Sequence, residues 1–432
     1  MSPPTLSDEV AAIASMGWKI TVTTFSRVAL AAIPTIFLGR LGTAELAAGA
    51  LAGVWTSLVQ MPTFGVSAAL CTLCAQAFGA KNSELVVVWL QLALLVLLTL
   101  SVPIMASLCF VDRLLGFVTN DDQALSLAAA YARWLIPSVV PQAVHAALRK
   151  FLQAQQIVTP ATVVGVASIP VSFILHYVLV FGCGPVPALG LVGSPVAQSI
   201  TALFQAAALA VYTLRNTCKT FRHDWNLEAC FQPDRVREFA SLAAGVTVQY
   251  ALDEGVFSAT AVIAGRIGPA ALAAHSVLAS LWQFLFGVFW GLGMPTQVRV
   301  AGFLGANEPS YARRSLRVGL ALGFIAAVVT VLIVTAVYTS DPTLASLIEH
   351  TLPILAIAAL FSGPHVVLVG AVEALALASA LVGATLVGSW LVMLPTAYAL
   401  ALSSHYGLNG VWWAAVGGEA AKFALMAATL LR

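Results

Sequence analysis

Apolar runs of about eighteen or more residues, long enough to cross a bilayer as helices, recur along almost the whole chain. Hydrophobic residues make up 60% of the 432 positions and charged residues 9%, whereas soluble domains carry roughly 25% charged residues. A soluble fold of this size would lack the polar side chains to cover its surface. Because segments of alternating polarity are too few for a β-barrel, the sequence predicts an all-α integral membrane protein.

Charged residues, prolines and glycines divide the chain into twelve candidate transmembrane helices. We place them near 14–38, 45–77, 84–111, 122–148, 156–182, 190–214, 237–265, 270–302, 311–338, 343–371, 375–402 and 407–431. The longest link, RNTCKTFRHDWNLEACFQPDRVRE, follows the sixth span. We therefore predict an N-lobe of helices 1–6 over 1–214, a cytosolic linker over 215–236, and a C-lobe of helices 7–12 over 237–432.

Lysine and arginine are distributed unevenly between the links. With the N-terminus in the cytosol, thirteen basic residues fall on the cytosolic side and three, Arg40, Arg113 and Arg266, on the other. This positive-inside bias predicts a cytosolic N-terminus, in a plasma or organelle membrane. The formal net charge of +2 gives no indication of a nucleic acid partner.

Two blocks of sequence recur at one spacing. GRLGTAELAA at 39–48 resembles GRIGPAALAA at 265–274, and AQAFGAKN at 75–82 resembles AGFLGANE at 301–308, both at an offset of 226 residues. Both copies follow a span that leaves the cytosolic side, so the repeats are parallel. Some secondary transporters have this plan.

Two neighbouring acids, Asp253 and Glu254, lie deep in the seventh span. Asp253 is 16 residues after Arg237, about 24 Å along a helix, and 12 residues before Gly265. Two carboxylates this close in a low-dielectric site do not both ionise easily, and they titrate jointly. We predict that Asp253 and Glu254 couple transport to protons or another cation, since acids inside a membrane are functional by default. The alternative is a buried acid that hydrogen bonds satisfy.

Other polar residues in the spans have simpler interpretations. Glu419 and Lys422, three residues apart, are expected to form a local ion pair. Glu373 is expected to be solvated at the cytosolic end of the tenth span. His275 is either a group that titrates near neutral pH or a packed polar residue.

Aromatic residues recur at helical spacing in the eighth span, in WQFLFGVFWGLGMPTQ. They belong either to the core or lipid-facing surface, or to the wall of a cavity that binds organic cations through ring faces. The candidate cavity residues are Gln249, Tyr250, Phe257, Ser258, Trp282, Gln283, Phe286 and Trp290.

The chain contains no G-x-x-x-x-G-K-[ST] motif and no residues at metal-ligand spacing. We therefore expect a membrane transporter rather than an enzyme. No cofactor or metal is expected, because a proton or sodium gradient would supply the energy.

Several motifs together resemble the multidrug and toxic compound extrusion (MATE) family, with a likeness to its eukaryotic members. They are IFLGRLGTAELAAGAL, AQAFGAKN, LRKFLQAQQIVTPAT, AAHSV and VRVAGFLGANEP, in that order. The resemblance implies two six-helix lobes in a V with a central cleft. It also implies an alternating-access antiporter that exports organic cations, drugs or small metabolites in exchange for protons or sodium ions.

The resemblance assigns the family's seventh-helix acid to Asp253, with Glu254 as its neighbour. Three other positions where members of the family carry an acid are Pro34, Ser258 and Ala358 here. The first lobe is therefore not expected to host a cation site. A flippase for lipids or lipid-linked oligosaccharides, with Lys19, Arg27 and Arg133 in its cleft, an organic-anion exporter and a channel or scaffold protein are the alternatives.

Overall fold

The structure is a computed structural model that describes residues 5–116, 121–216, 227–334, 342–404 and 406–431. Most of the predicted linker, at 217–226, lies outside these ranges. The helices are α1 (Leu6–Leu41), α2 (Thr43–Gly79), α3 (Ser83–Cys109), α4 (Val111–Leu115), α5 (Asp122–Ala154), α6 (Thr159–Phe181), α7 (Gly193–Asn216), α8 (Leu227–Cys230), α9 (Pro233–Ile267), α10 (Pro269–Gly305), α11 (Pro309–Val334), α12 (Pro342–Ala374), α13 (Ala378–Thr385), α14 (Leu394–Tyr398) and α15 (Gly407–Leu431). Two π-helical segments, Leu386–Met393 and Ala399–Ser403, flank α14.

Each of the twelve predicted spans coincides with a long helix, and the eleventh, 375–402, consists of α13, α14 and the π-helical segments. In the described ranges the only extended pairing is an isolated bridge between Cys183 and Val186. The all-α prediction is confirmed. Ten helical segments are long and apolar enough to cross a membrane, and α9 is not one of them. The reason is that α9 carries Asp253 and Glu254 among its apolar residues.

The helix bounds repeat as the sequence blocks do. Helix α10 begins and ends 226 residues after α2, and α12 begins and ends 220 residues after α5. Lys81 after α2 and Asn307 after α10 both have a positive φ, 57° and 58°. This left-handed conformation stops a helix. The two copies therefore end corresponding helices in the same way.

The contacts divide the chain into two compact units. We call Val22–Cys74 with Asn82–Ala243 the first unit, and Met1–Thr21, Ala75–Lys81 and Ala244–Arg432 the second unit. The first half of α1 and the end of α2 thus belong to the second unit. The lobe bounds 1–214, 215–236 and 237–432 stay a prediction.

Glycines bring α1 and α2 close to α10 within the second unit. A Cβ on Gly17 would lie 2.8 Å from the Gly291 carbonyl oxygen, and one on Gly79 would lie 1.8 Å from the Gly302 carbonyl oxygen. Such small-residue contacts are how helices approach each other in membrane proteins, where lipid gives no hydrophobic drive for helix association. The interior of this unit lies among α10, α12 and α15, around Leu278, Phe289, Leu352, Leu355 and Trp412.

Candidate functional site

Asp253 lies on α9 at the edge of the buried interior of the second unit. Its Oδ1 atom is 3.7 Å from Lys422 Nζ on α15 and accepts a hydrogen bond from Ser389 Oγ at 3.5 Å. The Asp253 side chain is 38% exposed, whereas that of Lys422 is 8% exposed. A half-exposed carboxylate therefore contacts a buried ammonium group from another helix.

Lys422 also holds the second carboxylate of this region. Its Nζ atom lies 2.6 Å from Glu419 Oε1, one turn earlier on α15, and both side chains are buried. The local pair predicted for Glu419 and Lys422 is confirmed. The structure adds that the pair is not isolated, because Lys422 faces Asp253 as well.

Glu419 extends the chain of contacts to α12. Its Oε2 atom is 3.1 Å from His365 Nδ1, a distance for an ion pair when the imidazole is protonated. The alignment of these two atoms falls outside hydrogen-bond geometry. Sequence reasoning missed His365, because a single histidine after a proline in an apolar span carries no motif. We call Asp253, Lys422, Glu419 and His365 the acid–lysine network.

The π-helical segment Leu386–Met393 and two glycines position the acid–lysine network. Trp390 Nε1 donates a hydrogen bond to the Leu252 carbonyl oxygen at 3.0 Å, which fixes α9 beside this segment. A Cβ on Gly388 would lie 2.4 Å from Lys422 Cγ, and one on Gly418 would lie 3.0 Å from the Gly388 carbonyl oxygen. Only glycine therefore allows α15 so close. π-Helical turns occur frequently at functional sites.

The network carries one negative charge when its imidazole is neutral, since two carboxylates face one ammonium. One added proton, on Asp253 or on His365, makes it neutral. Burial disfavours net charge, so the site favours uptake of one positive charge. Among the described residues no three His, Cys, Asp or Glu side chains are grouped as a metal site would require.

Glu254 points away from this network. It is exposed, and adjacent helix residues differ in direction by about 100°. The structure thus separates the two acids as the helix geometry predicts, one toward a neighbouring helix and one toward the outside of the second unit. Its predicted part in coupling stays a prediction.

The candidate cavity residues form two aromatic groups rather than one wall. In the first, Trp290 stacks on Phe286 with ring centroids 6.0 Å apart and meets Tyr250 edge-on at 6.5 Å. In the second, Trp282 packs against Trp412 at 6.0 Å, and Phe257 lies 6.4 Å from the His275 ring.

The polar cavity candidates are divided as well. Gln249 is buried, whereas Ser258 and Gln283 are exposed. Their assignment to a substrate cavity remains a prediction.

Two further polar residues have clear environments. His275 is 4% exposed and packs against Phe257 and Trp412, as a packed polar residue would. The expectation that Glu373 is solvated is wrong. Glu373 is 2% exposed and accepts a hydrogen bond from Gln297 Nε2 at 2.7 Å, because α10 covers this end of α12.

The basic residues proposed for a flippase cleft have local partners in the structure. Arg133 pairs with Asp112 at 3.3 Å on an exposed surface. Arg27 lies over the Phe64 ring at 5.8 Å, and Lys19 over the Trp18 ring at the same distance. These contacts are typical of snorkelling or surface side chains.

Comparisons with known proteins agree along the chain. The MatE family profile matches residues 20–178 and 246–399. A probable multidrug resistance protein NorM from Bradyrhizobium diazoefficiens is 30% identical, over 94% of this chain and 90% of the relative. Protein DETOXIFICATION 38 from Arabidopsis thaliana is 26% identical, over 89% and 77%.

Solved structures share the fold. The eukaryotic MATE transporter AtDTX14 superposes with a TM-score of 0.85 at 23% identity, over 99% of this chain and 95% of its own. The Vibrio cholerae MATE transporter VcmN in its bent form gives 0.88 at 17% identity, over 99% and 97%. Profile, relatives and fold agree, and the chain belongs to the MATE family of multi-pass membrane transporters for multidrug and toxic compound efflux.

Proposed function

We propose that this transporter exports small organic cations in exchange for protons, and that the proton binds at Asp253. The observation that carries the proposal is the charge of the acid–lysine network. It has a single negative charge, and its half-exposed member is the carboxylate that a solute or a proton from water would reach.

The network offers two states that differ by one proton. When Asp253 is ionised, it shares Lys422 with Glu419, and the site is negative and open to a cation. When Asp253 is protonated, Lys422 is left to the shorter contact with Glu419, and the site is neutral. A proton and a cationic solute therefore compete for one negative charge, which is the requirement for exchange.

Aromatic faces beside the same helix support a cationic solute. Tyr250 lies one turn before Asp253 on α9 and contacts Trp290, which stacks on Phe286. Ring faces attract organic cations by about 0.5–2 kcal/mol each. The names of the relatives, multidrug resistance protein and DETOXIFICATION, fit solutes of this type.

Protons are preferred over sodium ions because of the donor set. A sodium ion needs several oxygen ligands, whereas the oxygens described next to Asp253 come from Ser389, and Lys422 occupies the remaining side with a positive charge. A proton needs one carboxylate oxygen.

The test is efflux of a fluorescent cationic dye from proteoliposomes. We expect Asp253→Asn to remove efflux driven by a pH gradient, and a sodium gradient at equal pH to drive none in the unmodified protein. Glu238→Gln removes an exposed carboxylate from the same helix and serves as the matched control. Glu254→Gln measures whether the neighbouring acid assists.

Unchanged pH-driven efflux in Asp253→Asn would remove this residue from the mechanism. Efflux driven equally by sodium would reject the proton.

A further inference from the structure

A cavity of about 470 Å³ opens in the second unit between the start of α1 and the start of α11. It is lined by Leu6, Ser310, Tyr311, Arg314, Arg317 and Val318. Two guanidinium groups thus share the cavity with a phenol, a hydroxyl and two apolar side chains. The transport mechanism proposed above uses none of these residues.

The wall of this cavity is held by a buried ion pair. Glu9, one turn after Leu6 on α1, accepts hydrogen bonds from Arg299 of α10 and from Ser315 of α11. Glu9 is 1% exposed and the Arg299 side chain 11%. Because breaking a buried pair is costly, α1 is fixed against α11 and the cavity keeps its shape. Arg299 and Glu9 neutralise each other, so they leave the charge of the cavity to Arg314 and Arg317.

The surrounding charges favour an anion. Arg313 adds a third guanidinium next to the cavity, while Asp8, bound to Thr5, lies near Arg314 at the rim. The cavity lies at the end of α11 where the apolar part of the helix has not yet begun, as Arg313, Arg314 and Arg317 precede the long run from Val318. Basic pockets between helices at this level of a membrane protein bind lipid headgroups.

We propose that this cavity binds the phosphate headgroup of an anionic phospholipid from the leaflet on the N-terminal side. Arg314 and Arg317 contact the phosphate oxygens, and Tyr311 and Ser310 donate hydrogen bonds. Leu6 and Val318 contact the glycerol and the first methylenes of the acyl chains. A free phosphate ion would use the arginines but gain nothing from Leu6 and Val318, which is why we assign a lipid.

The test counts lipid that stays bound to the purified full-length protein in native mass spectrometry. The protein is mixed in detergent with phosphatidylglycerol or with phosphatidylcholine. Each basic side chain at a membrane surface contributes about fivefold in affinity, so we expect Arg314→Gln/Arg317→Gln to lower retention of phosphatidylglycerol about 25-fold. Arg317→Gln alone changes an exposed side chain, and we expect a loss of about fivefold.

Arg313→Gln is the matched control, because it removes an adjacent exposed guanidinium that does not line the cavity. Equal losses in Arg313→Gln and Arg317→Gln would reduce the effect to surface charge and overturn the proposal. Equal retention of the two lipids by the unmodified protein would overturn it as well. Displacement of phosphatidylglycerol by millimolar inorganic phosphate would replace the lipid with a soluble anion. Since the readout is bound lipid, the result is independent of whether Asp253 couples transport.

Discussion

The buried charge of Lys422 can be tested by replacing it with an apolar residue of similar length. In Lys422→Met, Glu419 loses an ammonium group at 2.6 Å and Asp253 loses one at 3.7 Å. At equal screening the shorter contact is about 1.4 times as strong, since attraction falls with distance. Asp253 is also 38% exposed, so water replaces much of its loss. The effect on stability therefore arises mainly from Glu419.

The expected loss follows from leaving one carboxylate buried. Removing one partner of a buried ion pair costs about 3–5 kcal/mol. His365, 3.1 Å from Glu419, offsets part of this when it takes up a proton. We therefore expect the free energy of unfolding of Lys422→Met to fall by about 3–5 kcal/mol at about pH 8, and by less at about pH 6.

The assay is denaturant unfolding of the purified protein, followed by tryptophan fluorescence, with a double-mutant cycle. Replacing both members of a buried pair by apolar residues is often neutral. We expect Glu419→Met/Lys422→Met to be more stable than Lys422→Met alone by about 2 kcal/mol or more. A single variant within about 1 kcal/mol of the unmodified protein, or a double variant less stable than the single one, would refute the buried pair.

Two further predictions concern packing and reactivity. Gly79→Ala places a Cβ 1.8 Å from the Gly302 carbonyl oxygen and should cost about 1–3 kcal/mol of unfolding free energy. Gly383→Ala, with open space around it, should instead gain about 0.5–1 kcal/mol; equal effects would contradict the close helix contact. Burial raises the pKa of the Cys230 thiol, against the effect of Arg235, and Cys230 donates to Gln91 at 3.3 Å. Less thiolate forms at neutral pH, so maleimide should label exposed Cys183 well before Cys230, as mass spectrometry of each peptide will tell.

The sequence was sufficient for the architecture because a membrane imposes simple rules. Every backbone group must be hydrogen bonded inside a span, so apolar length alone predicted the helices. The repeat predicted more, since α2 and α10 have bounds at the same 226-residue offset as the sequence blocks. What apolar length could not predict is the π-helical segment Leu386–Met393, because its cause is tertiary. Trp390 donates to α9, and Gly388 receives Lys422 of α15.

The site was predicted only as far as single helices allow. Asp253 stood out in the sequence because an acid in an apolar run is rare. Glu419 and Lys422 were interpreted as a pair closed on itself, since residues three apart on a helix are neighbours. The contacts of that pair with Asp253 and His365 join residues 136 or fewer and 54 positions apart only through folding. Spacing along one helix carries no information on which neighbouring helix a side chain faces.

The lysine in the network limits how many charges the transporter can exchange. Where members of the family carry further acids, this chain has Pro34, Ser258 and Ala358. Of the two acids that remain together, Glu419 is neutralised by the ammonium at 2.6 Å. One negative charge is left to hold either one proton or one singly charged solute. A cycle that exchanges the two moves no net charge, so the pH gradient rather than the membrane potential would drive it. Imposing a potential at equal pH should leave export of a monovalent cation unchanged, and a strong dependence on potential would show that a second proton site exists.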